Sequence, residues 1–343
     1  MENWQPIINS YLYSSADYTL HSFGTGLIHK TFVVEKNKEK VFILQQVNHR
    51  VFPWPENISH NIQLLSSWLK GNNVKTLLPA PLKTINGNDY VIIDGEYFRL
   101  IPFVENSHSI DTCSIPEEAF EAANQFGNFT ASFDGMNVSN LKTTIKDFHN
   151  LTFRWNQFRE ALVVGNKDRI ARCKNEIHLL EDDYPIVALF EKIVTSNSFS
   201  LRVTHHDTKI SNVLFNKENK GICVIDLDTV MPGYFISDLG DMFRTYLSKA
   251  NEEETDLQLV NARKDFYQAI TEGYKEKMAD KMSIDELNLL NYAGEFMIYM
   301  QALRFLTDYI NNDCYYSISY EDNNYQRTLN QLALLKSFRS IIA

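Results

Sequence analysis

One stretch, Thr204 to Asp228 (THHDTKISNVLFNKENKGICVIDLD), constrains this chain more than any other. Asp207 is followed two residues later by Lys209 and five residues later by Asn212. An apolar run, Val213 to Phe215, enters a polar turn at Asn216 to Gly221, and a second apolar run, Ile222 to Ile225, delivers Asp226 and Asp228. Period and turn chemistry read this as a loop carrying a base, a cation and an amide, joined through a hairpin to a strand ending in carboxylates. The hairpin is expected to fold Asp226 back beside Asn212. Metal-assisted phosphoryl transfer needs this set: the first Asp accepts the hydroxyl proton, while the Asn and the later Asp hold metal ions on the phosphates. A lone Asp in a loop or after a strand usually only caps a turn. The compound pattern H-x-D-x-K-x-x-N, strand, turn, strand, I-D-x-D points instead to chemistry, and the expected class is a small-molecule kinase.

Composition narrows the class further. At 343 residues the chain can bury the cores of two lobes. A formal net charge of -10 argues against non-specific nucleic-acid binding, which wants a basic face. The N-terminus, MENWQPIINSYLY, has no basic n-region ahead of an apolar core, and no apolar run is long enough for a bilayer, so neither export nor membrane insertion is expected. Four isolated cysteines, Cys113, Cys173, Cys223 and Cys314, without a C-x-x-C pair, suggest reduced thiols and a cytoplasmic protein.

In chain order, residues 3–18 read as an amphipathic helix, with Trp4, Ile7, Ile8, Tyr11 and Leu12 on one side. Thr31 to Glu35 and Lys40 to Val47 read as a hairpin. Gly24-Thr25-Gly26 ahead of it is small enough to let backbone amides approach phosphates; the plainer reading is a simple turn. His29 stands where a protein-kinase loop has its third glycine, and strand VFILQQV offers Gln45 where such a kinase has its phosphate-pairing lysine. The next helix, about Asn57 to Lys70, has no carboxylate between Ile58 and Leu69 to hold a lysine, so the two absences fit together. Asn86 to Asp89 reads as a hairpin turn. The run from Tyr97 to Glu105 is the expected interlobe hinge, with Phe103 and Val104 meeting the adenine edge, or else an edge strand and linker.

From Ser114, read as a helix cap, the period turns helical. IKDFHNLTFRW, residues 145–155, lacks periodicity, as a binding loop or a surface loop with an aromatic anchor would; His149 and Arg154 are candidate acceptor contacts. Further helices are expected at about 168–181, 185–196, 253–278, 283–311 and 325–342. Asp238 and Asp241 look like a reciprocal capping pair opening a helix, with Asp238 preferred as a brace for the catalytic-loop backbone. Arg304 and Asp308 stand at i,i+4 on a helix that is apolar nearly all round; they can serve sugar recognition or form a structural ion pair.

With these residues in view, the chain resembles the aminoglycoside phosphotransferase and choline kinase superfamily, on HHDTKISN and VIDLD. Within it the chain looks most like bacterial N-acetylhexosamine 1-kinases, on HHDTKISNVLF, VIDLDTVMPG, SDLGDMFR, FHNLTFR and RFLTDYINNDCYY. The resemblance implies an α+β, bilobal, protein-kinase-like fold: a small nucleotide-binding lobe with an antiparallel sheet, residues 1–103, and a larger, mostly helical catalytic and acceptor-binding lobe, residues 104–343. It implies ATP and Mg2+, with Asp207 as catalytic base, Asn212 and Asp226 as metal ligands, and Asp228 where relatives often carry a second acid. His206 stands where many relatives carry glycine.

The expected activity is phosphorylation of a sugar hydroxyl, the anomeric hydroxyl of an N-acetylhexosamine first among them. Lys209 would steady the transferring group, and His149, Arg304, Asp308, Tyr315 or Tyr316 would contact the sugar. A cationic acceptor such as choline or an aminoglycoside would want an aromatic cage or unpaired carboxylates. Gln45 and the missing helix carboxylate leave room for a third reading, a catalytically silent nucleotide-binding protein. Which sugar, which hydroxyl and which oligomeric state are not written in the sequence.

Overall fold

β-branched and aromatic residues of the N-terminal hundred build a five-stranded antiparallel sheet in the computed structural model, which describes residues 4–24 and 28–343. Its strands are β1 (Tyr18–Ser22), β2 (Lys30–Lys36), β3 (Glu39–Val47), β4 (Val91–Ile93) and β5 (Glu96–Pro102), in the order β1-β2-β3-β5-β4. Two tight turns set the register. Asn37 and Lys38, at φ 53° and 69°, link β2 to β3; Asp94 and Gly95, at φ 52° and 79°, link β4 to β5. Left-handed pairs of this kind match the twist of the strands they join. The hairpin expected at Asn86 to Asp89 is instead a local turn, in which the Gly87 N–H bonds the Thr84 carbonyl at 2.8 Å.

Helix α1 (Gln5–Tyr11) ends sooner than the expected residue 18, because Leu12 is extended and Tyr18 already opens β1. Ser14 diverts its hydroxyl to the Ala16 N–H at 3.2 Å, a local bond that competes with helix. Ile7, Ile8 and Tyr11 of α1 pack on Phe32, Val34, Leu44, Phe98 and Leu100 from one face of the sheet. Burying each of these side chains contributes about 1.5–3 kcal/mol. The two-residue period assigns the other face to Thr31, Val33, Ile43, Gln45 and Arg99.

Helix α2 (Pro55–Gly71) begins with proline at its first turn, where the missing N–H breaks no bond. Its fully buried Asn61 donates to the carbonyls of Lys142 and Val230 at 2.8 and 2.9 Å and accepts the Lys142 N–H at 2.8 Å. These bonds tie in two segments remote in sequence. Residues 1–108, 135–146 and 214–232 accordingly form one compact unit.

The second unit holds residues 109–134, 147–213 and 233–343 and is mostly helical. Its helices are α3 (Pro116–Ala131), α4 (Leu151–Val164), α5 (Lys167–Arg172), α6 (Lys174–Asp182), α7 (Tyr184–Thr195), α8 (Phe235–Tyr246), α9 (Lys264–Met278), α10 (Ile284–Asn288), α11 (Leu290–Ile310) and α12 (Asn323–Ile342). α11 is buried nearly all round, as its sequence requires, and packs against α8 and α12. Gly240 of α8 lies against the Ala293 carbonyl of α11, where a Cβ would collide.

Several helices differ from expectation at their ends. α3 starts after Ile115 rather than Ser114, because Glu118 reaches back to both backbone N–H groups. The run expected at 168–181 breaks at Cys173, and that at 283–311 breaks at Leu289. Residues 253–263 stay out of α9, with Asp256 capping a short 3-10 turn at Leu257–Leu259. The expected loop at 145–155 turns helical at Leu151, where Asn150 caps α4 by accepting the Phe153 N–H at 3.1 Å. No helix among the described residues is long and apolar enough to cross a membrane.

Candidate active site

In the second unit, a short strand, Arg202–Thr204, leads into the loop that carries Asp207. His206 occupies the left-handed region at φ 67°, a conformation that glycine adopts without strain. Two features hold a histidine there. Asp238 of α8 accepts the backbone N–H groups of His205 and His206 at 2.9 and 2.7 Å, and its own carbonyl accepts the Thr208 hydroxyl at 2.8 Å. Gly233 leaves room for the ring: a Cβ there would stand 2.5 Å from His206 Cε1 and 2.7 Å from Nε2.

Asp241, one turn on, accepts the Thr208 N–H at 2.8 Å and pairs with Arg244 at 3.0 Å, while the Tyr246 hydroxyl donates to the Thr208 carbonyl. The reciprocal capping pair expected of Asp238 and Asp241 does not form. α8 starts at Phe235, so both carboxylates leave its side to hold the loop. Burial pushes the Asp238 carboxyl up to about 6, against the pull of His205 and the two N–H donors. Burial also raises Asp241, opposed by Arg244.

Asp207, Lys209 and Asn212 come together on this loop. Lys209 Nζ lies 3.0 Å from Asp207 Oδ2, and Asn212 Nδ2 donates to that oxygen and to the Asp207 carbonyl, both at 2.9 Å. Burial alone would raise the Asp207 carboxyl. The charges of Lys209 and His205, with the Lys209 and Asn212 hydrogen bonds, bring it below its ordinary value instead. Asn212 has its N–H groups committed to Asp207, so the group it can offer a cation is its amide oxygen.

The expected acceptor residues gather around the neighbouring His206. His149 Nδ1 lies 3.4 Å from His206 Nδ1, and Phe148 stacks on His149 at 4.4 Å. The Arg304 guanidinium faces the rings of Phe148, Tyr315 and Tyr316 at 5.9, 5.9 and 5.5 Å. It also donates to Gln301 at 3.3 Å, and Gln301 in turn donates to the Tyr316 hydroxyl at 3.3 Å. Burial holds His149 well below its usual imidazole value, and the charges of His206 and Arg304 add to this. Arg154 donates to Gln157 and to the Asp147 carbonyl, and its buried Nε finds no partner among the described residues.

The Arg304–Asp308 pair expected from i,i+4 spacing is absent among the described residues. The chain reverses after α11 through Asn312 and Asp313, both at positive φ, and brings backbone N–H groups down onto Asp308. Its carboxylate accepts from Tyr315 N, Tyr316 N and Asn324 Nδ2 at 2.8, 2.9 and 2.9 Å.

In the first unit, Gln45 and Arg99 are opposite partners on β3 and β5. Arg99 is 6% exposed; its Nε and Nη2 donate to Gln45 Oε1 at 2.9 and 2.8 Å, and its Nη1 donates to Asp228 Oδ1 at 2.5 Å. The other oxygen of Asp228 meets His29 Nε2 at 2.8 Å. His29 Nδ1 accepts the Asn48 N–H at 3.1 Å, so the ring proton sits on Nε2 and is donated to Asp228. Burial works to raise the Asp228 carboxyl, but Arg99 and His29 hold it far below the carboxylate range.

Sequence reasoning took Gln45 to need no ion pair. The structure corrects this: a cation does stand beside it, supplied by β5 and balanced by Asp228 rather than by α2. Arg99 and His29 were missed, and the available signal was one arginine inside the apolar strand YFRLIPF.

Asp226 stands at φ 60° and ψ 60°, directly ahead of the 3-10 turn Leu227–Thr229. Side-chain ligand atoms of His29, Asp226 and Asp228 lie within 4.8 Å of one another. Asp226 and Asp228 bring to this group carboxylate oxygens of the kind a hard cation such as Mg2+ takes, and those of Asp228 are bonded to Arg99 and His29. Gly24 is exposed at φ 76°, while Thr25 and Gly26 lie outside the described residues. The Phe103 N–H bonds the Val41 carbonyl at 3.0 Å, and the Val104 carbonyl accepts the Ser107 hydroxyl at 2.6 Å.

A model of the phosphotransferase enzyme family matches residues 19–276. Among solved structures, the chain is similar to an aminoglycoside phosphotransferase from Alicyclobacillus acidocaldarius subsp. acidocaldarius DSM 446, with TM-score 0.67 and 15% identity over 98% of this chain and 95% of that one. It is similar to a spectinomycin phosphotransferase in complex with ADP and spectinomycin, with TM-score 0.55 and 15% identity over 95% and 88%. It is also similar to a choline kinase from Cryptosporidium parvum Iowa II, with TM-score 0.55 and 13% identity over 96% and 92%. At these identities the likeness is one of fold, and it is the kinase-like α+β architecture expected from the sequence.

Proposed function

The chain belongs to the phosphotransferase enzyme family, and from that premise we propose that it transfers the γ-phosphoryl group of ATP to a sugar hydroxyl, the anomeric hydroxyl of an N-acetylhexosamine first among the candidates. The observation that carries the choice of acceptor class is the state of Asp308. Its carboxylate is taken up by two backbone N–H groups and an amide, while the charged group turned toward the rings around His149 is Arg304. A site with a cation and a consumed carboxylate opposes choline or an aminoglycoside. It suits a neutral acceptor rich in hydroxyl and carbonyl oxygens.

In this reading Asp207 takes the proton of the attacking hydroxyl. Its depressed pKa keeps it ionised at neutral pH, and Asn212 fixes its direction. Lys209 steadies the transferring phosphoryl group. His149, Arg304, Tyr315 and Tyr316 orient the sugar, and Asp308 acts on it through the backbone of Tyr315 and Tyr316. Gly24, Thr25 and Gly26 are the residues assigned to the phosphates, Gln45 serves them through its bonds to Arg99, and Phe103 and Val104 are assigned to the adenine. Asn212 and Asp226 are the Mg2+ ligands, with Asp228 as the nearby second acid. Mg2+ when bound neutralises charge on the nucleotide phosphates. Positioning then supplies most of the rate, because phosphoryl transfer leaves the protein little covalent chemistry. ATP as donor assigns the reaction to the cytoplasm.

A coupled ADP-release screen over N-acetylglucosamine, N-acetylgalactosamine, glucose, galactose, choline and an aminoglycoside tests this, with NMR of the product to locate the phosphate. Turnover restricted to the sugars is the expected result. Turnover on choline or the aminoglycoside alone would overturn the acceptor class, and nucleotide binding with no turnover on any of them would leave a silent binding protein.

A further inference from the structure

We propose that Arg99, set between Gln45 and Asp228, is a positioning residue that holds the turn bearing Asp226 ready for its metal. The inference rests on the functional reading above and concerns residues to which that reading gives no such part. Four side chains form one chain of bonds: Gln45 to Arg99, Arg99 to Asp228, and Asp228 to His29, at 2.5 to 2.9 Å. Thr31 extends it at one end, accepting from Gln45 Nε2 at 3.4 Å, and the Asn48 N–H closes it at the other. It therefore runs from strands β2, β3 and β5 to the turn after the strand Gly221–Val224.

The burial of this chain decides between two roles. Arg99 and Asp228 are 6% and 1% exposed, and each hydrogen-bonding atom of the Asp228 carboxylate already has a partner. A guanidinium so enclosed is poorly placed to grip phosphates directly. It is well placed to fix Asp228, and Asp228 is two residues from Asp226. Asp226 needs such help, because a non-glycine residue at φ 60° and ψ 60° stands in a sparsely populated backbone region and persists only where its surroundings over-determine it. A lysine on β3 paired with a helix carboxylate would link strand to helix. Here the arginine on β5 links the sheet to the metal-bearing turn, and α2 needs no acid for the purpose.

The test measures binding of a non-hydrolysable ATP analogue to the whole protein, with and without Mg2+, alongside thermal unfolding. Arg99→Lys keeps the charge but loses the fork that reaches Gln45 and Asp228 together. Gln45→Met removes the oxygen that orients Arg99 and leaves no charge unpaired, so it remains informative if the arginine variant folds poorly. For both, the tightening of nucleotide binding by Mg2+ is expected to fall about tenfold or more, with Mg2+-free binding within about twofold of wild type. Equal loss with and without Mg2+ would identify Arg99 as a direct phosphate contact and overturn the proposal. A lowered Tm with Mg2+ coupling intact would reduce the network to a structural one and also overturn it. Failure of the wild-type protein to bind the analogue at all would overturn the kinase reading itself, and the inference with it.

Discussion

Asp238→Asn separates the stability of this protein from its chemistry. At neutral pH the wild-type carboxylate is ionised although burial pushes it from 3.8 to about 6, a gap that corresponds to about 3 kcal/mol carried by the folded state. That figure already includes the charge-assisted bonds from His205 and His206. The amide removes this burden, but its NH2 group then faces one of the two backbone N–H groups. A buried donor stranded in this way costs about 1–3 kcal/mol. The two effects nearly cancel, so folding stability at pH 7 should change by less than about 2 kcal/mol.

Activity has no such compensation. The backbone released is that of His205 and His206, immediately before Asp207, and a displacement of about 1 Å at a reacting group lowers the rate roughly 100-fold. The pH dependence follows with its sign. A carboxyl whose folded pKa is raised gives stability that is fully present below about 4 and is lost as pH rises through about 6. Wild type should therefore lose about 3 kcal/mol relative to the variant between pH 4 and pH 7, because the substituted amide cannot titrate. Urea denaturation at several pH values and steady-state kinetics at pH 7.5 measure both quantities. A variant with wild-type kcat, or a stability difference that does not move with pH, would refute the reasoning.

Three further outcomes are expected. Asp207→Asn should lower kcat about 10²- to 10⁴-fold with nucleotide binding retained, because the group serves the acceptor hydroxyl; titration with a non-hydrolysable nucleotide beside turnover assays checks this. Gly233→Ala should push a Cβ into the His206 ring, destabilise by about 1–3 kcal/mol in denaturant melts and lower kcat with it, whereas the double change with His206→Gly should recover much of the stability. Arg304→Met should raise KM for the acceptor about tenfold or more while leaving KM for ATP near wild type; equal effects on both substrates would remove Arg304 from the acceptor site.

The chemistry of the loop was legible in the sequence because its residues are local. Asp207, Lys209 and Asn212 lie within six positions, and a short loop after a strand leaves them little choice but to meet. The antiparallel sheet and the buried α11 were equally legible, since a period of two and an all-round apolar helix each leave one solution. Asp238 as a brace for the loop could also be anticipated, though its partners could not.

What the sequence did not decide are pairings between residues far apart in the chain, fixed only when strands take a register and turns reverse. Arg99 meets Gln45 across 54 positions and Asp228 across 129, and nothing in either neighbourhood announces the other. Asp308 shows the converse. Spacing offered it Arg304, but the backbone reversal at Asn312 and Asp313 delivered N–H donors that need no side-chain entropy to hold, and these took the carboxylate. Local order could be read from local sequence; which buried charge answers which was settled by topology, because a buried carboxylate bonds to whatever donors the fold brings within reach.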